Sequence, residues 1–484
     1  MKLSEIVSTF KEKKERIRKK MLSEESPIFK NRGIEMAIEY SEAIESATKN
    51  LFNFTKENLN HRGNGIAAFL YESPGRKEMV SESDLDIMLV YKNNSNEYKN
   101  FKEKFQYFAK PFEFCKIDLP VWGTLEEAKI FAQKSITEGN QVLESNFIIG
   151  DSSIKKDMDK IQNKFGGPER MIRNIVFQKF YFEQYFKQRI RNGAINIKYC
   201  DGGSRDYLFI HWFNQLMKKK YPNWDNSNKE RPVAEQGISN LYNQGLINKK
   251  EFTNAIDALD FNLIFRNEIL IANKGTPDEG LTFLDEKTLN NVFYSVPNLM
   301  KRYPINSPKK LSTFFDEQRF KIANIKENIW NLMIYENGKE KKDPFWSRNF
   351  HNSYFPTTSE KERKNLLGHN DILMDIAAIW GASKSHQTKL FEYFCDAEKN
   401  SDSWEIQASL ATSPHCPPEY LHHLATTIGK NLGYGYVLRI VSRNPNVKKE
   451  TLESIANDSK VEPRYTQCAK AALKDGKGSA NHQI

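Results

Sequence analysis

Residues 73–91 read SPGRKEMVSESDLDIMLVY, a glycine-containing turn that leads into an Asp-x-Asp pair at the head of an apolar run. Side chains two positions apart in a strand lie on the same face, so Asp84 and Asp86 are expected to project together. Leu85 and Ile87 then point the other way, into a core. Two adjacent carboxylates are typical oxygen ligands of Mg²⁺, which takes the rest of its coordination from water and substrate phosphates. The stretch therefore predicts a magnesium site at the start of a strand.

The turn ahead of this pair carries groups that suit phosphate. Its backbone N–H groups and the Ser73 hydroxyl can donate to phosphate oxygens, and Arg76 adds a positive charge. Ser73, Gly75 and Arg76 are therefore candidate nucleotide-binding residues. With Asp84 and Asp86 as catalytic metal ligands, the stretch indicates chemistry on a nucleoside triphosphate. The alternative interpretation is a strand start with two solvated carboxylates beside a turn.

The arrangement resembles the nucleotidyltransferases of the DNA polymerase β superfamily, whose signature is Gly-Ser followed by Asp-x-Asp on the next strand. It is more closely similar to the bacterial uridylyltransferase of the PII nitrogen-signalling protein and to glutamine synthetase adenylyltransferase. In those enzymes a Gly-Arg-x-Glu turn precedes Ser-Asp-x-Asp. This chain has the same spacing in Gly75, Arg76, Glu78, Ser83, Asp84 and Asp86.

Two further segments resemble the same enzymes. Residues 196–207, NIKYCDGGSRDY, are similar to their Lys-x-x-x-Gly-Gly-Leu-Arg-Asp segment, which makes Lys198 and Arg205 candidates for neutralising the triphosphate. The alternative role of this segment is an ion-paired loop that fixes a helical domain to the sheet. Residues 143–151, LESNFIIGD, are similar to their Leu-Glu-x-Arg-x-x-x-Gly-Asp helix end, with Asn146 in place of the arginine.

The resemblance implies a Mg²⁺-dependent nucleotidyltransferase, with Mn²⁺ as the alternative metal, that transfers UMP or AMP from a nucleoside triphosphate to an acceptor and releases pyrophosphate. The relatives modify tyrosines on proteins, so a protein is the favoured acceptor, and a small molecule, RNA or a second nucleotide is the alternative.

A third carboxylate usually completes such a site from a neighbouring strand. Residues 112–118 alternate as a strand does, and Asp118 at their end is the candidate catalytic metal ligand. The alternative for Asp118 is a surface acid that ends a strand.

One position departs from the resemblance, because Glu72 stands where the family has the glycine before the serine. A side chain there keeps the backbone away from a phosphate, and a carboxylate beside the triphosphate costs about 1 to 4 kcal/mol, depending on the local dielectric. Glu72 could instead turn outward, pair with Arg76 or Lys77, or join the metal shell. The alternative function is therefore a catalytically weakened nucleotidyltransferase fold that senses nucleotide or scaffolds a partner.

The fold class that these patterns predict is α+β, with a polymerase β-like nucleotidyltransferase sheet, then an all-helical domain, then an α-helical repeat. The predicted domains are a nucleotidyltransferase domain with N-terminal helices, a helical substrate-binding or accessory domain, and a docking domain, at residues 1–150, 151–335 and 336–484. Within the first, a helix is expected at residues 34–58 and strands near residues 66–71, 85–91 and 112–118. In the second, the apolar spacing of residues 171–192 predicts a helix.

The last region contains an internal repeat. Residues 413–425 align with residues 444–456 at a shift of 31, and a fainter copy lies one unit upstream, where Ile379, Leu390 and Phe394 match later apolar positions. Units of two helices with this period resemble variant leucine-rich or HEAT-like arrays, which stack on one continuous core and offer an extended surface. The region is therefore predicted to dock a protein acceptor.

Composition predicts a soluble cytoplasmic protein. No apolar run approaches the roughly 18 residues of a membrane span, so no membrane partner is expected. The five cysteines show no C-x-x-C pairing, which predicts reduced thiols rather than a disulfide framework or a zinc site. The net charge of +10 is a mild excess of 72 basic over 62 acidic residues, so nucleic acid is not the favoured partner. Its densest part, residues 11–20, is predicted to be a solvated helix face.

Overall fold

The computed structural model places the chain in two compact units, which comprise Met1–Lys179 with Arg189–Asn331 and Phe180–Gln188 with Leu332–Ile484. The described residues are 2–22, 31–60, 64–83, 85–93, 95–112, 123–134, 137–177, 179, 195–198, 200–224, 230–273, 283–295, 303, 305–336, 339–340, 359–366, 372–397, 404–427, 434–459, 461, 463–474 and 476. Most of them are helical. The predicted boundary between a domain of residues 1–150 and a domain of residues 151–335 stays a prediction.

A small antiparallel sheet lies at the centre of the first unit. Its strands are β1 (Ile66–Leu70), β2 (Ile87–Tyr91) and β3 (Asn146–Gly150), in the order β2-β1-β3. Leu70 at the end of β1 pairs with Ile87 at the start of β2 and with Asn146 at the start of β3. The three strands therefore bring the residues after β1 and those before β2 to one edge of the sheet. The general α+β class is confirmed.

Helices cover both faces of this sheet. They are α1 (Leu3–Leu22), α2 (Arg32–Asn58), α3 (Glu72–Gly75, a single turn), α4 (Asn96–Ala109), α5 (Leu125–Lys134), α6 (Thr137–Leu143) and α7 (Ser152–Phe165). On one face, Met88 and Val90 pack in a buried cluster with residues of α5, α6 and α7. On the other, Ile87 lines a small internal cavity with Phe10 of α1 and Ile44 of α2. All five residues of β2 are buried, so the expected alternation of a core face and a polar face ends at Asp86.

The third strand differs from the one expected from the sequence. Phe112 ends a 3₁₀ turn, Lys110–Phe112, and the rest of the predicted strand at residues 112–118 lies outside the described residues. The strand that pairs with β1 is instead β3, in the segment that resembled a helix end. Helix α6 stops at Leu143, and Phe147 on β3 packs edge to face on Phe69 of β1. The aromatic and β-branched residues of this segment favour the sheet.

The rest of the first unit is helical. Its elements are α8 (Pro168–Phe177), β4 (Ile195–Asn196), α9 (Ser204–Lys220), α10 (Val233–Asn243), α11 (Lys249–Ala272), β5 (Phe283–Leu284), α12 (Glu286–Ser295) and α13 (Pro308–Ile334). The helix predicted over residues 171–192 is described as far as Phe177. Helix α11 packs on the start of α2, where Asp260 Oδ1 accepts from the Ile34 N–H at 3.0 Å. A Cβ at Gly33 would lie 2.1 Å from the Asp260 carbonyl, so this approach requires glycine.

The second unit is a helical repeat. After a short hairpin come the helices α14 (Glu360–Leu366), α15 (Ile372–Lys384), α16 (Thr388–Ala397), α17 (Trp404–Thr412), α18 (Pro418–Thr427), α19 (Tyr434–Val441), α20 (Lys449–Asn457) and α21 (Pro463–Lys474). Leu390, Leu421 and Leu452, which the 31-residue shift aligns, are all fully buried. Asn444 Nδ2 donates to the Ser413 carbonyl at 2.8 Å and so joins equivalent turns of successive repeats. Within the described ranges, none of the helices has the length and apolarity needed to cross a bilayer.

Candidate functional site

The turn after β1 and the residue before β2 lie together at one edge of the sheet. The Tyr71 N–H donates to the Asp86 carbonyl at 3.2 Å, directly beyond the Leu70–Ile87 pair. Asp86 is partly exposed at this edge. The other two candidate metal ligands, Asp84 and Asp118, lie outside the described residues.

The turn is compact, and it is bounded by two residues in the left-handed conformation. Glu72 has φ 51° and Lys77 has φ 58°. The Arg76 N–H donates to the Glu72 carbonyl and the Glu78 N–H to the Ser73 carbonyl, both at 2.9 Å. A non-glycine residue in this conformation costs on the order of 1 kcal/mol. Glu72 thus adopts, at a cost, a conformation that the glycine of the resembling enzymes would adopt freely.

Arg76 joins three parts of the unit. Its Nη1 atom donates to Glu144 Oε2 at 2.6 Å, just beyond α6, and its Nε atom donates to Glu78 Oε2 at 3.2 Å. Glu78 Oε1 in turn accepts from the Ala234 N–H at the start of α10, at 3.0 Å. Burial lowers the pKa of Arg76, but the nearby carboxylates outweigh it and the net shift is upward. Arg76 is therefore charged and held by the protein's own acids.

Asn146 holds the same turn from β3. Its Nδ2 atom donates to the Gly75 carbonyl at 2.8 Å. A Cβ added at Gly75 would lie 2.9 Å from the Leu70 carbonyl and 3.3 Å from Asn146 Nδ2, so the close packing here favours glycine. The position where the resembling enzymes have arginine thus contributes a hydrogen bond to the turn instead of a charge.

The segment that contains Gly202 and Gly203 packs against helix α13. Gly202 has φ +76°, and a Cβ there would lie 1.7 Å from the Arg319 carbonyl, so only glycine fits. Asp206 accepts from the Gly202 N–H at 2.6 Å and from the buried Lys326 at 3.0 Å. The Arg205 N–H donates to the Lys198 carbonyl at 3.0 Å. Asp206 therefore has the ion-paired structural role, whereas Lys198 and Arg205 lie together on the segment.

The candidate phosphate-binding cations stabilise the charged form of the Glu72 carboxylate. Burial raises the pKa of its carboxyl, but the charges of Arg205, Lys198 and Arg76 outweigh burial, so the pKa falls below its ordinary value. Lys77, the other expected partner, donates to the Glu230 carbonyl at 3.2 Å. The structure therefore brings Arg76, Lys198 and Arg205 together, with a carboxylate of the chain itself among them.

A cleft of about 240 Å³ lies next to the turn, and sequence reasoning missed it. Gly75, Arg76, Glu144 and Asn146 line one side. The opposite side is formed by residues of α7, α8, α9 and α10 and the loop after α7, namely Gln162, Asn163, Gly166, Met171, His211, Trp212, Gln215, Lys219 and Val233. The four-residue spacing of the polar residues of α9 is a helical-face signal that could have indicated it. Burial, Arg76 and Lys218 lower the pKa of His211 to about 3, so this imidazole is neutral at pH 7.

The fit of a metal ion to the sheet edge rests on Asp86. A partly exposed carboxylate, such as that of Asp86, has the oxygen chemistry that Mg²⁺ prefers. Among the residues that the structure describes, no group of three or more His, Cys, Asp and Glu side chains is arranged to hold a metal. The full ligand set stays a prediction, with Asp86 as its described member.

Comparison with protein-family models gives no match for this chain. Comparison with curated proteins gives none either. The resemblance to nucleotidyltransferases thus rests on the three motif segments of the sequence.

Proposed function

We propose that the chain is a nucleotidyltransferase that transfers a nucleoside monophosphate, UMP or AMP, from a nucleoside triphosphate to an acceptor. One observation carries the proposal. The turn after β1 belongs to the first of the three segments that resemble such enzymes, and the other two, which are distant in sequence, contact it or act on it. Glu144 pairs with Arg76, Asn146 bonds to Gly75, and Lys198 and Arg205 act on Glu72. Convergence on one turn is what a shared phosphate site requires.

The proposed roles follow from position. Ser73 and Gly75 belong to the turn that would receive the phosphates, and Lys198 and Arg205 supply positive charge opposite it. Asp86, with Asp84 and Asp118 as further candidates, would hold Mg²⁺ or Mn²⁺, which supplies charge neutralisation and alignment of the phosphates when bound. An acceptor hydroxyl then forms a new O–P bond to the α-phosphorus, the bond to the pyrophosphate oxygen breaks, and the hydroxyl proton passes to solvent.

The acceptor we propose is a protein that docks on the helical repeats. Stacked helix pairs such as α16 to α20 present an extended surface of repeated turns, which suits a protein better than a small molecule. The labelling experiment described below identifies both the acceptor and the transferred nucleotide.

A second candidate function is nucleotide sensing or scaffolding without turnover. It is favoured by Glu72, whose carboxylate compensates the charges of Lys198 and Arg205, the cations proposed to face the triphosphate. A triphosphate has to displace or outcompete this carboxylate, which weakens binding. A sensor would bind nucleotide without releasing pyrophosphate, and a pure scaffold would do neither.

The test is incubation of the full chain with α-labelled ATP, UTP, GTP or CTP in a cell lysate, followed by identification of labelled species and a pyrophosphate assay. The proposal expects one nucleotide to label an acceptor in a Mg²⁺-dependent way and Asp86→Asn to abolish labelling. Asp157→Asn, which removes an exposed acid on α7, is the matched control and should label normally. Absence of labelling together with Mg²⁺-dependent binding by calorimetry would favour the sensor.

A further inference from the structure

The cleft between the turn and α9 is lined by residues that do not include Asp86. Of the candidate phosphate-binding residues in the described ranges, Gly75 and Arg76 line it, whereas Ser73, Lys198 and Arg205 do not. Gly75 and Arg76 therefore belong both to the turn and to the wall of the cleft. A ligand whose phosphates lie on the turn would reach this cleft with the part of the molecule that follows them.

The charges that line the cleft disfavour binding of a phosphate group inside it. Arg76 is compensated by Glu78 and Glu144, and Glu144 itself lines the cleft. His211 is neutral at physiological pH. Lys219 is an exposed cation at the rim. The interior is thus close to neutral, which favours an uncharged polar group over phosphate.

The polar side chains of the cleft offer both donors and acceptors. Gln162 Nε2 donates to the Ser145 carbonyl at 2.8 Å and to the Val142 carbonyl at 2.9 Å, which fixes the plane of this amide. Gln215 is half-buried and makes no hydrogen bond within the described part of the chain. Gln162 thus offers a fixed acceptor, its Oε1 atom, and Gln215 offers an uncommitted amide; together they suit the mixed donor and acceptor edge of a heterocycle.

Two buried polar atoms near this surface also lack partners. His211 Nδ1 and Trp212 Nε1 have no hydrogen bond among the described residues, and their side chains are 6% and 2% exposed. Buried polar groups are nearly always satisfied in proteins, so each exception calls for an explanation, and a bound ligand is one. Both belong to residues that line the cleft.

Part of the wall is apolar, and the volume of the cleft is small. Leu143, Met171 and Val233 line the cleft beside the amides, which suits the faces of a planar ring. A volume of about 240 Å³ is below the usual range for drug-sized ligands, so it suits one part of a nucleotide.

We propose that this cleft binds the nucleobase of the nucleotide, with Gln215 as a base-contacting residue on α9. The inference rests on the proposed function for the placement of the phosphates. The recognition of the base itself rests only on the cleft.

The experiment is calorimetric titration of the full chain with adenosine, guanosine, cytidine and uridine, which carry the base without phosphate and need no metal. At least one nucleoside is expected to bind. Gln215→Glu, which keeps the shape but replaces the amide donor by a carboxylate, should weaken that binding at least tenfold. Gln106→Glu, the same change at an exposed position of α4, is the matched control and should leave it within twofold.

A second variant tests the cleft by changing its shape without changing its charge. Val233→Phe narrows the cleft from α10 and should also weaken the nucleoside at least tenfold, with folding checked by circular dichroism. Failure of all four nucleosides to bind, or binding that neither variant changes, overturns the inference.

The outcomes separate this inference from the proposed function. Mg²⁺-dependent, Asp86-dependent transfer with nucleoside binding insensitive to Gln215→Glu would leave the function standing and remove the base site. Gln215-dependent nucleoside binding without any transfer would support the base site and count against the enzyme.

Discussion

Arg76 Nη1 lies 2.6 Å from Glu144 Oε2, and both side chains are 8% exposed. The two residues are 68 positions apart, so this ion pair fixes the turn after β1 against the end of α6. Desolvation offsets much of the attraction in a buried pair, so its main effect is to define position. The geometry of the candidate phosphate turn therefore depends on an acid outside it.

Arg76→Met is expected to destabilise the protein by about 3 to 5 kcal/mol, because it leaves Glu78 and Glu144 buried without their cation. Burial already raises the pKa of Glu144, with Arg76 opposing that shift, so loss of Arg76 should raise it further. The double variant Arg76→Met with Glu144→Met should be more stable than Arg76→Met alone. Urea unfolding of the single and double variants measures this, and additive losses would contradict the pair's assigned role.

Asp84→Asn combined with Asp86→Asn is expected to lower nucleotidyl transfer at least 100-fold while leaving the thermal midpoint unchanged or higher. Removal of two adjacent carboxylates relieves their repulsion when no metal is bound, but it also removes the oxygen ligands of the metal. Pyrophosphate release and a thermal melt report the two effects separately. Labelling that survives in this double variant would eliminate the metal-site assignment.

The local elements near the site could be predicted from sequence because their signals are local. The apolar runs of β1 and β2 and the apolar spacing of α1 and α2 do not depend on distant contacts. The observed elements Ile66–Leu70, Ile87–Tyr91 and Arg32–Asn58 agree with the expected ones to within a few residues. The helical repeat was also recognisable, since Leu421 and Leu452 recur at a fixed distance.

The remaining features depend on tertiary contacts. Residues 146–150 have aromatic and β-branched residues that favour a strand, but their pairing depends on the open side of β1 and on the packing of Phe147 on Phe69, which are tertiary contacts. The sequence marked Glu72 as a departure from the family pattern, but the placement of Lys198 and Arg205 beside it requires the fold of the Gly-Gly segment. The cleft likewise needs α9 and β3 to be neighbours of the turn.

His211 is expected to make stability depend on pH. Its folded-state pKa of about 3 lies below the ordinary value of 6.5, so the unfolded chain takes up the proton first. The contribution is fully present above pH 6.5 and is lost as the pH falls toward 3, at about 1.4 kcal/mol per pH unit. Wild type should therefore lose about 2 kcal/mol more than His211→Gln between pH 6.5 and 5 in urea unfolding. Parallel losses in the two proteins would show that His211 is protonated equally in both states.

Glu72→Gly is expected to raise nucleotide affinity or transfer activity. Glycine adopts φ 51° without strain, and the change removes an internal carboxylate that compensates the charges of Arg205 and Lys198. Relief of about 1 kcal/mol or more corresponds to at least a fivefold tighter dissociation constant for the triphosphate, measured by calorimetry with Mg²⁺. Glu72→Gln, which removes the charge but keeps the strained side chain, separates the two causes and should give part of the gain. Lower affinity or activity in both variants would instead indicate that Glu72 takes part in the site, as a metal ligand or an acceptor-binding group. The hypothesis that its carboxylate competes with the triphosphate would then be wrong.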